Sequence, residues 1–334
     1  MSEPFSIGVD LGATNLRIAS YAQGLGFLDK ISFPTPLGSG RKHVVAKMCD
    51  AIQELARRRH DGLAFAGVGI GSPGPLELPR GILRNPPNLP GWDGFDLRAA
   101  VESRLRYPVV VESDGNIAAL AESVAGAGRA SGVNTLCMLT LGTGVGSGLV
   151  LNGRIWHGTT GMGGEAGHII VETHAGAPCG CGGSGCLEQY ASAPGILRIF
   201  REHLSDTCFT SADEIARVAR NGDPAARTVF SRTGQYLAVA LTALINVLNL
   251  PLYVLGGGVS EAWDLFAPSM FAELEERSYV YRLTRPSAPE SSTPSANVTH
   301  VRPAMLGAEA GLLGACLLGM CGSVDELVPA DSRA

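Results

Sequence analysis

"SIGVDLGATNLRIASYAQGLGFLDKISFP", residues Ser6 to Pro34, contains three apolar segments parted by two glycine-bearing turns. Runs rich in Val, Ile and Leu, bounded by Gly and Asn, mark strands joined by hairpins. The spacing predicts strands at Ser6–Asp10, Leu16–Tyr21 and Gly26–Phe33, with turns at Gly12–Asn15 and Gln23–Gly24. An antiparallel meander therefore opens the chain. Next comes an amphipathic stretch, about His43 to Arg59, with apolar residues at Val44, Val45, Met48, Ile52 and Leu55, the spacing of a helix.

The pattern then repeats. "GLAFAGVGIGSPGP" (Gly62–Pro75) reads as a buried strand ending in a Gly/Pro turn, and "PVVVESDGNIAALAESVAG" (Pro108–Gly126) as a strand at Val109–Glu112 followed by a helix from about Asn116. "NTLCMLTLGTGVGSGLVLNGRIWHG" (Asn134–Gly158) restarts the strand, glycine turn, strand, Asn-Gly turn, strand order. Leu11-Gly12-Ala13-Thr14 aligns with Leu141-Gly142-Thr143-Gly144 at an offset of 130 residues, as two related α/β halves would. Helices are expected at Pro194–His203, Ala212–Arg220, Ala225–Val247 and Met305–Leu318, with a strand at Leu252–Leu255. The Pro/Ser-rich Arg285–Ser295 reads as an exposed loop.

Composition narrows the function classes. The chain has 334 residues, 45% hydrophobic and 17% charged, which suits a globular protein of about two domains. A formal net charge of −5 gives no reason to expect nucleic acid as a partner. The N-terminus lacks a basic segment followed by an apolar one, so no signal peptide is expected. The most apolar stretch, Leu237–Leu255, is interrupted by Asn246, Asn249 and Pro251 and reads as a buried helix running into a buried strand, not a membrane span. A cytoplasmic location without disulfides is the expectation.

Three glycine turns and one carboxylate carry the chemistry. Gly12, Thr14 and Asn15 offer backbone and side-chain donors suited to phosphate oxygens, with Asp10 beside them able to hold Mg²⁺. Gly142 and Thr143 repeat that arrangement in the second half. Gly256-Gly257-Gly258 follow an apolar strand and leave a flat surface for a nucleobase or ribose. Each is also readable as an ordinary turn; two at equivalent places are hard to ascribe to chance. Neither Walker-A nor dinucleotide-fold spacing is present. Asp114 reads either as a helix cap or as a general base toward a substrate hydroxyl.

His168, Cys179, Cys181 and Cys186 fall within nineteen residues. A redox pair, a labile disulfide and buried thiols are open readings. The full set of four fits tetrahedral Zn²⁺ with no position left for water, which makes such a metal structural. The other cysteines, Cys49, Cys137, Cys208, Cys316 and Cys321, read as small buried hydrophobes.

Taken together, VDLGATNLR, GVGIGSPGPLE, ESDGNIAALAE, LTLGTGVGSGLVLNG, GGEAGHIIV, CGCGGSGCLEQYAS and VLGGGVS resemble the ROK family (repressors, open reading frames, kinases) of the sugar-kinase/actin-like ATPase superfamily. The resemblance covers almost the whole chain, and the Cys-x-Cys-Gly-x-x-Gly-Cys-x-Glu piece is its most specific part. It implies two ribonuclease-H-like α/β domains around a central cleft, with the structural zinc in the second. The expected domains are 1–115, with a helix at about 305–320 packing back on it, and 116–304. It implies ATP-dependent phosphorylation of a hexose, glucose foremost, with Asp114 as base and Asp10 helping to hold Mg²⁺. Gly12, Thr14, Asn15, Gly142 and Thr143 would meet phosphates, and Gly256, Gly257 and Gly258 adenosine. Asn88, Ser113, Glu165, His168 and Glu188 would contact the sugar, His168 using its second ring nitrogen for zinc beside Cys179, Cys181 and Cys186. A homodimer is implied as well.

One departure bears on specificity. The family commonly places Asn before the catalytic Asp; here it is Ser113. The alternatives are a kinase for N-acetylglucosamine, N-acetylmannosamine, fructose or mannose, or one using polyphosphate as donor. A sugar-sensing repressor, which in the family carries an N-terminal helix-turn-helix, is disfavoured because the first glycine turn at Asp10 leaves no space for one and because the net charge is negative. A catalytically dead sensor is disfavoured because Asp10 and Asp114 are both present.

Overall fold

The computed structural model describes residues 3–58, 62–203, 209–287 and 297–320. In chain order the elements are β1 (Glu3–Leu11), β2 (Asn15–Ala22), β3 (Gly26–Pro34), α1 (Arg41–Arg57), β4 (Leu63–Ser72), β5 (Leu76–Glu77), β6 (Ile82–Leu83), α2 (Leu97–Leu105), β7 (Val109–Ser113), α3 (Asp114–Ala125) and α4 (Ala127–Ala130). They continue with β8 (Leu136–Leu141), β9 (Val145–Leu151), β10 (Arg154–Ile155), α5 (Glu188–Ala191), α6 (Ala193–His203), α7 (Ala212–Arg220), α8 (Pro224–Leu248), β11 (Leu252–Gly256), α9 (Trp263–Arg277), α10 (Tyr279–Thr284), β12 (His300–Pro303) and α11 (Ala310–Met320).

Two five-stranded sheets have the same order, β3-β2-β1-β4-β7 and β10-β9-β8-β11-β12. In the first, β1, β2 and β3 are antiparallel, while β1–β4 and β4–β7 are parallel. In the second, β9–β10 is antiparallel, while β8–β11 and β11–β12 are parallel. The repeated motif of the sequence is therefore a repeated sheet topology. The chain divides into two compact units. One takes the described residues of Met1–Val124, Gly148–Gly164 and Glu309–Ala334; the other takes those of Ala125–Ser147 and Glu165–Ala308.

In the first unit, the two-residue period of β1 sorts its side chains onto two faces. Ile7, Val9 and Leu11 join Val44, Met48, Ile52 and Leu55 of α1 and Leu97 and Val101 of α2 in one apolar core. The other face meets α11: Ser6 donates its hydroxyl to Cys316 O at 2.6 Å. A Cβ at Gly8 would lie 2.5 Å from Cys316 Sγ, and one at Gly69 would lie 2.7 Å from Gly319 N and closer still to Ala315 O. Absent side chains thus set how near the helix lies to the strands. The expected helix at Met305 begins later, at Ala310, after a single 3-10 turn at Gly307–Glu309.

The second unit is organised on α8, which packs against α9 and α7. Asp223 caps α8, accepting from Ala226 N at 2.7 Å, with Pro224 at the first turn where no backbone donor is needed. The apolar Leu237–Leu255 resolves as the end of α8 and β11, as the interrupting polar residues predict. Among the described residues, no helix is long and apolar enough to cross a membrane. Cys49, Cys137 and Cys316 are buried; Cys208 and Cys321 lie outside the described residues, as does most of the Pro/Ser-rich segment.

Candidate active site

In the first unit, the β1–β2 turn is closed by Gly12 N donating to Asn15 O at 3.0 Å and braced by Thr35, whose hydroxyl donates to Gly12 O at 2.7 Å. Asp10 stands opposite Arg17 in the strand register. The guanidinium grips Asp10 Oδ2 through Nε at 3.0 Å and through a terminal nitrogen. Asp10 also lies by Gly311, at the start of α11, where a helix N-terminus favours negative charge. Sequence reasoning missed Arg17; the signal available was the hairpin register itself.

Asp114 is solvent-exposed at the first position of α3. Its Oδ1 accepts from Gly115 N at 2.7 Å. Ser113, just before it, also caps the helix, its Oγ accepting from Asn116 N at 3.3 Å. The hydroxyl that replaces the family's usual amide is thus turned to the helix end. Behind this turn, Glu112 is wholly buried, with Oε1 accepting from Ser113 N and Asn116 Nδ2 and Oε2 facing His157 Nε2 at 2.6 Å. Sequence reasoning missed this cluster too. Asn88 is exposed on a turn pinned by buried Leu89 and Trp92.

In the second unit, the β8–β9 turn is closed by Gly142 N donating to Gly144 O at 2.9 Å, and Thr143 is exposed. Glu188, at the start of α5, accepts from Val145 N at 3.1 Å through Oε2. A Cβ at Gly144 would sit 2.5 Å from that oxygen, so the turn is shaped to receive the carboxylate. Gly257 has φ +85°, a backbone conformation that favours glycine, and abuts the backbone of Leu141. The second and third glycine turns are therefore neighbours. Beside Gly258 lies a small recess of about 100 Å³ lined by Asp213, Ala216, Arg220, Phe230 and Glu261. Arg220 is fixed there by Asp264, at 2.7 and 3.0 Å, and by Glu261 O.

The ligating atoms of His168, Cys179, Cys181 and Cys186 all lie within 4.8 Å of one another. Cys181 Sγ is 3.7 Å from Cys186 Sγ, and Cys179 Sγ is 3.7 Å from His168 Nδ1. Ligands about 2.3 Å from a tetrahedral zinc are about 3.8 Å apart, so the donor set and its spacing both fit. Cys179 Sγ also lies 3.8 Å from Glu188 Oε1. Glu165 is exposed, yet the surrounding protein desolvates it and raises its pKa above the ordinary carboxylate value; His168 pulls the other way and Glu188 adds to the rise.

A repeated mixed sheet, glycine turns at equivalent strand ends and an exposed carboxylate at a helix start define an α/β sugar-kinase fold. The ROK family profile matches residues 6–320, and this chain belongs to the ROK family. It is 35% identical over 327 residues to a glucokinase of Halalkalibacterium halodurans, covering 94% of each chain. Among solved structures, it is similar to a ROK hexokinase from Thermus thermophilus, with a TM-score of 0.76, 32% identity and coverage of 93% of this chain and 96% of that one. It is also similar to a ROK family glucokinase from Streptomyces griseus in complex with glucose and AMPPNP, with a TM-score of 0.75, 28% identity and coverage of 94% and 98%.

Proposed function

We propose that this chain is an ATP-dependent glucokinase that transfers the γ-phosphoryl group of ATP to the 6-hydroxyl of glucose. The likeness to glucokinases over nearly the full chain carries this reading. The exposed carboxylate of Asp114 at the head of α3 supports it.

In this reading, Asn88, Ser113, Glu165, His168 and Glu188 hold the sugar. Carboxylates, amide, hydroxyl and imidazole suit hydroxyls that both donate and accept. Asp114 accepts the 6-hydroxyl proton as that oxygen attacks the γ-phosphorus, and ADP leaves with the bridging oxygen. Gly12, Thr14, Asn15, Gly142 and Thr143 meet the phosphates, and Gly256, Gly257 and Gly258 meet adenosine. Asp10 would help to hold Mg²⁺, which would neutralise charge on the phosphates. Zn²⁺ would be held by His168, Cys179, Cys181 and Cys186. With all four positions filled by protein, it would fix the segment carrying Glu165 and Glu188 rather than take part in chemistry. By family likeness, the reading includes a homodimer and a cytoplasmic setting.

A second reading, a kinase for another hexose, draws on Ser113, whose hydroxyl caps α3 where the family commonly offers an amide. The deciding experiment is ADP release from Mg·ATP with glucose, mannose, fructose, N-acetylglucosamine and N-acetylmannosamine, and a parallel arm with polyphosphate as donor. Preference for glucose with ATP is the expected result. Preference for another sugar establishes the second reading, and turnover with polyphosphate alone overturns the donor.

A further inference from the structure

We propose that His157 and Glu112 form a positioning pair for Asp114, holding the turn that presents it. This deepens the reading above, resting on Asp114 as the base.

Glu112 lies two residues before Asp114, near the end of β7. It is fully buried, and a buried carboxylate is costly unless its lone pairs are filled. Its two oxygens divide the task. Oε1 accepts from Ser113 N at 2.8 Å and from Asn116 Nδ2 at 2.9 Å. These donors flank Asp114 on either side. Oε2 meets His157 Nε2 at 2.6 Å. An ionised carboxylate only accepts, which makes Nε2 the donor of this contact in the proposed pair.

Asn116 depends on the same anchor. It is buried, and its Oδ1 has no hydrogen-bond partner, so the bond to Glu112 is what orients its amide. His157 comes from the segment just after β10, 45 residues along the chain, and its side chain is 26% exposed. Through Glu112 it is linked to the backbone around the base. Asp114 itself is exposed and accepts from Gly115 N, and the backbone that carries it is the one Glu112 clamps. Removing His157 leaves Oε2 buried without that donor, and the carboxylate must turn toward water, releasing Ser113 and Asn116.

The test uses the full chain with His157→Ala, His157→Asn and Glu112→Gln. Amide hydrogen exchange is read at Gly115 and Asn116, alongside kcat, KM for glucose and for Mg·ATP, and the thermal midpoint. In His157→Ala, exchange at the two amides should quicken by about tenfold or more while Leu120–Val124 is unchanged, since local opening is confined to the turn. With glucose, kcat should fall by about 10²-fold, the cost of a small misplacement of a reacting group, at a KM for Mg·ATP within about twofold of wild type. His157→Asn, which retains an N–H donor, should recover most of both losses, and Glu112→Gln should behave like His157→Ala. Unchanged exchange at Gly115 and Asn116 overturns the pair whatever the protein phosphorylates. Loosened exchange with an unchanged kcat overturns its link to catalysis, and so does an Asn variant as poor as the Ala variant. A wild type inactive on every sugar sinks the glucokinase reading alone, while exchange still judges the pair.

Discussion

Gly69→Ala tests how the first unit is held together. The added methyl would lie 2.7 Å from Gly319 N and 3.0 Å from Leu318 Cβ, and closer still to Ala315 O. The nearest of these are backbone atoms of α11, so no side-chain rotation relieves the clash. The helix must retreat by roughly 1 Å, a gap that forfeits a quarter to a half of each dispersion contact along it. Leu312, Leu313, Ala315, Cys316 and Leu318 are all buried there, and overpacking of this kind costs about 1–3 kcal/mol. Taking the upper end, about 3 kcal/mol, the unit's thermal midpoint should fall by about 6–12 °C. Gly38→Ala is the control, because a Cβ there meets nothing within 4 Å. The assay is thermal unfolding of both variants against wild type, with hydrogen exchange on α11 identifying the unit that opens. A Gly69→Ala midpoint matching that of Gly38→Ala would refute the reasoning.

Three further expectations are open to direct measurement. Asp114→Asn should keep glucose binding by calorimetry yet lose about 10²–10⁴-fold in kcat, the usual share of a general base, and a near-normal kcat would remove Asp114 from that role. Cys181→Ser should lower both the zinc content by metal analysis and the glucose affinity; full affinity in zinc-free protein would make the cluster incidental to the sugar. Glu165, with its folded pKa raised, holds its proton more tightly folded than unfolded; its ionisation therefore opposes stability above the folded value, and the effect vanishes below the unfolded one. In the proposed reading the ionised form accepts a sugar hydroxyl, so glucose affinity should weaken on acidification from a higher pH than an ordinary glutamate gives, and Glu165→Gln should erase that step.

What was legible in the sequence was local. The opening hairpins announce themselves by apolar runs between Gly and Asn, and β1, β2 and β3 fall within a few residues of the expected bounds. The restart at Asn134 foretells the second sheet because a duplicated pattern folds into a duplicated topology. The four soft ligands are close in the chain, so their gathering in space needs little more than a tight loop. Side-chain pairings across elements were not legible. Arg17 finds Asp10 only through the β1–β2 register, and Glu112 finds His157 across 45 residues. The part Ser113 takes in capping α3 depends on where the helix begins, a matter of one residue that periodicity does not resolve.

The seating of α11 on β1 also orders the protein's birth. The first strand needs Cys316, 310 residues downstream, for the partner of Ser6. By the time that partner emerges, the ribosome has made every residue of the second unit. From Val124 to Met320 is about 200 residues, roughly 10–40 s of translation. Through that interval, the glycine-floored face of the nascent sheet stands bare, and the unit begun first is the one completed last.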